Sequence, residues 1–120
     1  MSDATPQTIL VVEDDAIVRM LIVDVLEELD YRVLEAQYKQ EALAVLQDSG
    51  VAIALMMTDV GLPDGNGCDL AKTAQVLRQG MPILIASGYA ETVDNPPGTE
   101  VLGKPFSIDQ LRDKVRDMVG

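Results

Sequence analysis

The sequence predicts an α/β fold, a single doubly wound domain in which a five-stranded parallel sheet lies between layers of helices. Three observations carry the prediction. Short apolar runs alternate with amphipathic stretches five times along the chain, as in strand-helix-strand units joined by right-handed crossovers. The run from Ala52 to Thr58 is almost continuously apolar, as expected of a strand covered on both faces. No internal repeat or low-complexity tract breaks the alternation, and 120 residues with 48% hydrophobic content suit one core.

Residues 1–7 are polar, include Pro6 and read as a flexible leader, which leaves residues 8–120 for the domain. Thr8 to Val12 is a β-branched apolar run, the first strand, and it meets the acidic triplet Glu13, Asp14 and Asp15. A helix follows at once. Ile17, Met20, Leu21, Val25, Leu26 and Leu29 mark its apolar face, while Glu27, Glu28 and Asp30 stay in water. Arg32 to Ala36 is the second strand, and Gln40 to Gln47 the second helix, stopped by Gly50. The third strand, Ala52 to Thr58, delivers the chain to Asp59. Turn formers dominate from Gly61 to Gly67, and a third helix fits Cys68 to Arg78 with Gly80 just past its end. Pro82 to Ala86 is the fourth strand and leads into Ser87, Gly88 and Tyr89. Asn95, Pro96, Pro97 and Gly98 leave the fourth helix only a turn or two around Ala90 to Asp94. Glu100 to Leu102 is a short last strand just before Lys104 and Pro105. Ser107 and Gln110 make a capping box for the final helix, which buries Ile108, Leu111, Val115 and Met118.

Composition excludes several classes of function. Lys and Arg total 9 against 20 Asp and Glu, and the resulting net charge of -11 repels a phosphate backbone, so direct nucleic-acid binding is not expected. The longest apolar stretch, Val51 to Met57, falls far short of the roughly 20 residues that span a bilayer. The N-terminus lacks a basic-then-apolar signal, and a cytoplasmic location is expected. Cys68, the lone cysteine, lies in a helical apolar pattern and reads as a buried small hydrophobe. With no histidine in the chain, Ser-His and Cys-His catalysis and histidine zinc sites are excluded. Chemistry therefore falls to carboxylates, hydroxyls, Lys104 or a metal.

In an open parallel sheet, ligands bind beyond the carboxyl ends of the strands, where the strand order reverses. Glu13 and Asp14 follow the first strand, Asp59 the third, Ser87 the fourth and Lys104 the fifth. Three carboxylates in one small space repel each other unless a hard cation lies among them. Mg2+ suits Glu13, Asp14 and Asp59, with Gly61 as a carbonyl donor and Mn2+ as an acceptable substitute. Asp59 is then a carboxylate nucleophile toward activated phosphorus, with Lys104 adding positive charge to the phosphoryl oxygens and Ser87 a hydroxyl donor. Taken singly, each residue has a plainer reading. The acids could cap a helix, Asp59 could open an Asx-turn, Lys104 could be a solvated charge and Ser87 simple turn chemistry. Their joint placement at the strand ends of one sheet favours function.

The runs Ile9-Leu-Val-Val-Glu-Asp-Asp15, Thr58-Asp-Val-Gly-Leu-Pro-Asp-Gly-Asn-Gly67, Pro82-Ile-Leu-Ile-Ala-Ser87 and Lys104-Pro-Phe106 resemble the four signature blocks of response-regulator receiver domains. Together they bracket almost the whole chain. The resemblance implies a flavodoxin-like three-layer sandwich of strand order 2-1-3-4-5. It also implies a two-component signal-transduction receiver, phosphorylated in a Mg2+-dependent reaction by a sensor histidine kinase or phosphotransfer protein. Such a chain catalyses only its own phosphorylation and dephosphorylation, and it acts on a downstream protein or attached domain, with no direct nucleic-acid or membrane contact. By matching position, Asp59 is the phosphoacceptor, Glu13 and Asp14 are the metal-site acids and Gly61 is the carbonyl ligand. Ser87 is the switch hydroxyl, and Lys104 is the family's lysine, joined to Pro105 by a cis peptide.

Receivers commonly carry Tyr or Phe three residues before that lysine, where this chain has Val101. Ile85-Ala-Ser-Gly-Tyr89 is instead similar to the Phe-Ala-Thr-Gly-Tyr motif of a receiver subgroup lacking that aromatic, which makes Tyr89 the candidate replacement. Phosphorylation is expected to draw the loop after the fourth strand inward and reshape the face from Tyr89 to Leu102. Two other readings stay open. One is a receiver-like interaction module that never carries phosphate, against which the retention of Asp59, Lys104 and the acid pair argues. The other is an aspartate-nucleophile phosphatase, which needs a second acid where this chain has Gly61.

Overall fold

Burial of apolar side chains organises the sheet from its centre outward. β1 (Thr8–Val12), β3 (Leu55–Asp59) and β6 (Ile83–Ser87) take the inner positions, and nearly every residue in them is buried. β2 (Arg32–Ala36) and β7 (Glu100–Gly103) form the edges, giving the parallel order β2-β1-β3-β6-β7. β4 (Gly61–Leu62) and β5 (Gly65–Asn66) make a separate antiparallel hairpin, so the main sheet has the expected order. Residues 6–88 and 93–119 are described by a computed structural model. The expected leader falls mostly outside them, as do Tyr89 and most of the short helix expected around Ala90 to Asp94. Residues 93–99 form no regular element.

Successive side chains of a strand point to opposite faces, and each face has its own core. Ile9, Val11, Leu55, Met57 and Leu84 pack with Ile22, Val25 and Leu26 of α1 (Ala16–Glu28) and with Leu111 and Val115 of α4 (Ile108–Val119). On the other face Leu10, Val12, Met56, Ile83 and Ile85 pack with Ala42 and Leu46 of α2 (Lys39–Gln47). Leu70, Ala71 and Ala74 of α3 (Gly67–Leu77) complete that side. Cys68 is buried here as a free thiol.

The buried face of α1 differs from the expected one. Val25 and Leu26 are buried, but Ile22 completes that face, whereas Ile17, Met20 and Leu21 are 69%, 57% and 59% exposed. α1 is apolar around more of its circumference than the sheet covers, so residue spacing alone does not select the buried side. α4 is different: its apolar residues form one stripe, of which Leu111 and Val115 are buried and Met118 packs half-buried against the same core, while Ile108 in the first turn is exposed. The third strand starts at Leu55 rather than Ala52, because its pairing with β1 begins at Ile9. Asp59 and Ser87 are the last residues of their strands, not the first residues after them.

Helix ends follow local chemistry. Asp15 Oδ1 accepts from the amides of Ile17 at 2.9 Å and Val18 at 3.2 Å, capping α1. At the other end the Tyr31 amide donates to the Leu26 carbonyl and the Asp30 amide to that of Glu27. This Schellman closure places Asp30 at φ 67 in a position that glycine usually fills. Ser107 and Gln110 form the expected reciprocal capping box. Among the described residues, no helix is long and apolar enough to cross a membrane.

The C-terminal end of α2 is held by a side chain from beyond α3. The Arg78 guanidinium donates to the carbonyls of Leu46 at 2.9 Å, Asp48 at 2.7 Å and Val51 at 2.6 Å, with a longer bond to Val45. It thereby satisfies carbonyls that the helix end leaves without intrahelical donors. Arg78→Ala is expected to lower the unfolding free energy by about 1.5–3 kcal/mol in urea denaturation, the scale of losing a charged donor to part-buried carbonyls. Arg78→Lys should recover little of it, since an ammonium lacks the planar fork.

Candidate functional site

Parallel strands in register bring their carboxyl ends to one edge. Val12 pairs with Thr58, Asp59 with Ala86 and Ser87 with Gly103, so the residues that end or follow these strands become neighbours. Glu13 extends β1 by one step, its amide donating to the Ala36 carbonyl of β2 at 2.9 Å. Carboxylate oxygens of Glu13, Asp14 and Asp59 lie within 4.8 Å of one another. Glu13 and Asp59 are nearly buried, and Asp14 faces solvent.

Lys104 reaches into this cluster from the end of β7. Its Nζ donates to Asp59 Oδ1 at 2.9 Å and to Glu13 Oε1 at 3.2 Å. Its backbone amide donates to the Ser87 carbonyl at 2.7 Å, which ties the loop after β7 to the end of β6. The Lys104–Pro105 peptide is cis, as the resemblance implies. Ser87 is buried one residue beyond the partner of Asp59, and its Oγ donates to the Gly88 carbonyl at 3.2 Å. Gly61 opens β4 two residues past Asp59 and is exposed. The fold thus gathers Glu13, Asp14, Asp59 and Lys104, with Ser87 adjacent and Gly61 on the neighbouring hairpin, while Tyr89 lies outside the described residues.

Burial, together with the charge on Asp59, holds the Glu13 carboxyl above its ordinary pKa, although the Asp15 amide and Lys104 pull it down. Burial would lower the Lys104 pKa, but the two carboxylates outweigh it and raise the ammonium above its ordinary value. Among the described residues, three acids against one lysine give the pocket a net negative charge and a lining of oxygen donors. That donor set suits a hard divalent cation and not a thiolate- or imidazole-seeking metal.

Two contributors escaped the sequence reading. Arg19 donates from Nη1 to the Glu13 carbonyl at 2.8 Å and from Nε to Glu35 Oε1 at 3.0 Å, bracing the acidic loop against β2. Its only sequence signal is a cation one turn into the helix after the acids, which a solvated arginine would share. Gly67 abuts the site from below. A β-carbon there would collide with the Asp59 carbonyl oxygen, so glycine alone lets α3 begin against the end of β3.

A flavodoxin-like sheet with acids and a lysine at its carboxyl edge is the arrangement of a receiver-type signalling domain. Residues 9–116 match the response regulator receiver domain, and the chain belongs to that family. It is 35% identical to a probable transcriptional regulatory protein of Picosynechococcus, covering 97% of this chain and 50% of that protein. It is 33% identical to the sensor kinase CckA of Brucella abortus, covering 93% of this chain and 12% of the kinase. The chain thus spans half of one relative and a small part of the other. A receiver domain protein of Methanospirillum hungatei superposes with a TM-score of 0.87 at 27% identity, covering 96% of this chain and 94% of that one. This is a receiver of two-component signal transduction.

The raised pKa of Glu13 has a consequence for stability. A carboxyl whose folded pKa lies above its unfolded value stabilises the fold most when protonated, and that contribution is lost as pH rises through the folded pKa. At neutral pH and with a chelator present, Glu13→Gln is therefore expected to melt higher than the wild type. The gap should close on acidification below the carboxylate range, as followed by circular dichroism.

Proposed function

We propose that the chain carries its signal as a phosphoryl group on Asp59, taken from a phosphohistidine donor in a Mg2+-dependent reaction in the cytoplasm. The observation that supports this most is the 2.9 Å contact of Lys104 Nζ with Asp59 Oδ1 beside the clustered acids. Glu13, Asp14 and Asp59, with the Gly61 carbonyl, would hold Mg2+, which supplies positive charge to phosphoryl oxygens when bound. An Asp59 carboxylate oxygen attacks phosphorus, the new O–P bond forms, and the P–N bond to the donor imidazole breaks. Lys104, already among the carboxylate oxygens, offers its ammonium to the phosphoryl oxygens. Ser87 donates a hydroxyl hydrogen bond to the acyl phosphate. With glycine two residues after Asp59, no second acid stands ready for proton transfer there, which favours self-phosphorylation over phosphatase turnover.

A protein donor is supported by the apolar surface next to the pocket. Ile17, Met20 and Leu21 of α1 and Ile108 of α4 are exposed. A groove of about 580 Å³ between the two helices, lined by Val18, Leu21, Phe106 and Ile108, also borders Lys104 and Gly88. A kinase or phosphotransfer protein presenting its histidine to Asp59 would seat on this side, where apolar area adjoins the chemistry.

Acetyl phosphate with Mg2+ is expected to add one phosphoryl group per chain by intact-protein mass spectrometry, and none to Asp59→Asn or with EDTA. An unmodified wild type would leave the phosphate-free interaction module, and repeated turnover of p-nitrophenyl phosphate would leave the phosphatase. Leu21→Asp is expected to slow transfer from a phosphorylated donor protein by about tenfold or more, the scale of one lost interface anchor. Labelling by acetyl phosphate should be unchanged in that variant, since the small donor needs no docking surface.

A further inference from the structure

α2 begins without a cap of its own. Tyr38 stands at its N-cap position and makes no side-chain capping hydrogen bond, so the first-turn amides need acceptors from elsewhere. Asp64 supplies them across the fold. Its Oδ1 accepts from the Lys39 amide at 2.7 Å and its Oδ2 from the Gln40 amide at 3.0 Å, so both carboxylate oxygens are used. Desolvation works the other way, yet these amides hold the Asp64 carboxyl below its ordinary pKa. The stem of Lys39 also lies over Gly65, where a β-carbon would meet Lys39 Cδ at 2.8 Å.

Asp64 occupies the tip of the β4–β5 hairpin, in which Gly61 pairs with Asn66 and Leu62 with Gly65. At its base the hairpin is fastened to β3, for the Gly67 amide donates to the Val60 carbonyl at 2.7 Å and Gly67 abuts Asp59. Gly61 therefore lies between two anchors, one on β3 and one on α2. Two-residue strands carrying two glycines have little stability of their own.

We propose that Asp64 is a positioning residue for the candidate metal site: by tying the hairpin tip to α2, it holds Gly61 where its carbonyl can serve as a ligand. This rests on the reading of Gly61 as a ligand given above. Two roles of one carboxylate are then separable, since capping α2 needs only an acceptor at its N-terminus, whereas positioning Gly61 needs the link from hairpin to helix.

The experiment is an amide-resolved NMR titration with Mg2+, with melting temperatures measured in parallel. Asp64→Ala is expected to weaken Mg2+ binding by about tenfold, the lower end of what losing an outer support costs a metal site. Adding Tyr38→Asp gives α2 a cap within its own chain segment, so the double variant should regain melting temperature while Mg2+ binding stays weak. Asp64→Ala binding Mg2+ within about twofold of the wild type would overturn the proposal. So would recovery of Mg2+ affinity together with melting temperature in the double variant, because Asp64 would then be only a helix cap. A wild type that does not bind Mg2+ would instead overturn the metal reading itself.

Discussion

Among the described residues, three carboxylates share a pocket with the Lys104 ammonium, and most of the fold keeps them there. Left to themselves, Glu13, Asp14 and Asp59 would separate, since nearby like charges in a partly buried space repel and desolvation penalises each one. Lys104 offsets part of that by bonding Glu13 and Asp59 together. The rest is imposed by the sheet. Glu13 and Asp59 are continuous with β1 and β3, whose side chains are buried on both faces, so the acids cannot part without disturbing the core. Crowding the acids costs stability at this edge, and the packed centre of the sheet offsets it.

Backbone contacts and side chains outside the acid cluster support the pocket. Arg19 braces the Glu13 carbonyl, Gly67 lets α3 approach the backbone of Asp59, and the Lys104 amide is bonded to the end of β6. The β4–β5 hairpin is held at both ends, through Gly67 at its base and Asp64 at its tip. Arg19, Gly67 and the Lys104 amide act on backbone at the acid cluster or at the end of β6, whereas Asp64 acts at a distance through the hairpin.

The surface beside the pocket is apolar. The sheet needs only one stripe of α1, yet Ile17, Met20 and Leu21 are apolar as well and stand in solvent beside Ile108. A receiver must meet other proteins to receive its signal, and this apolar margin adjoins the acid cluster through Lys104. Asp14 and Asp15 lead directly into the same helix, so the exposed apolar residues and the acid cluster share one short stretch of chain.

The order of the main-sheet strands, the two-faced burial of the third strand, the capping box of α4 and the candidate set Glu13, Asp14, Asp59, Ser87 and Lys104 were legible in the sequence. They depend on residue type, local periodicity and position at a strand end, all of which are local properties. Which side of α1 is buried, where β3 begins, and the parts played by Arg19, Arg78, Gly67 and Asp64 were decided by the tertiary structure alone. Each depends on a partner far along the chain: the sheet beneath Ile22, the strand beside Leu55, the carbonyls facing Arg78 and the amides of α2 facing Asp64. Apolar spacing states that a helix has a covered side, but only packing in three dimensions selects it, and no local pattern names the distant backbone group that a charged side chain will meet.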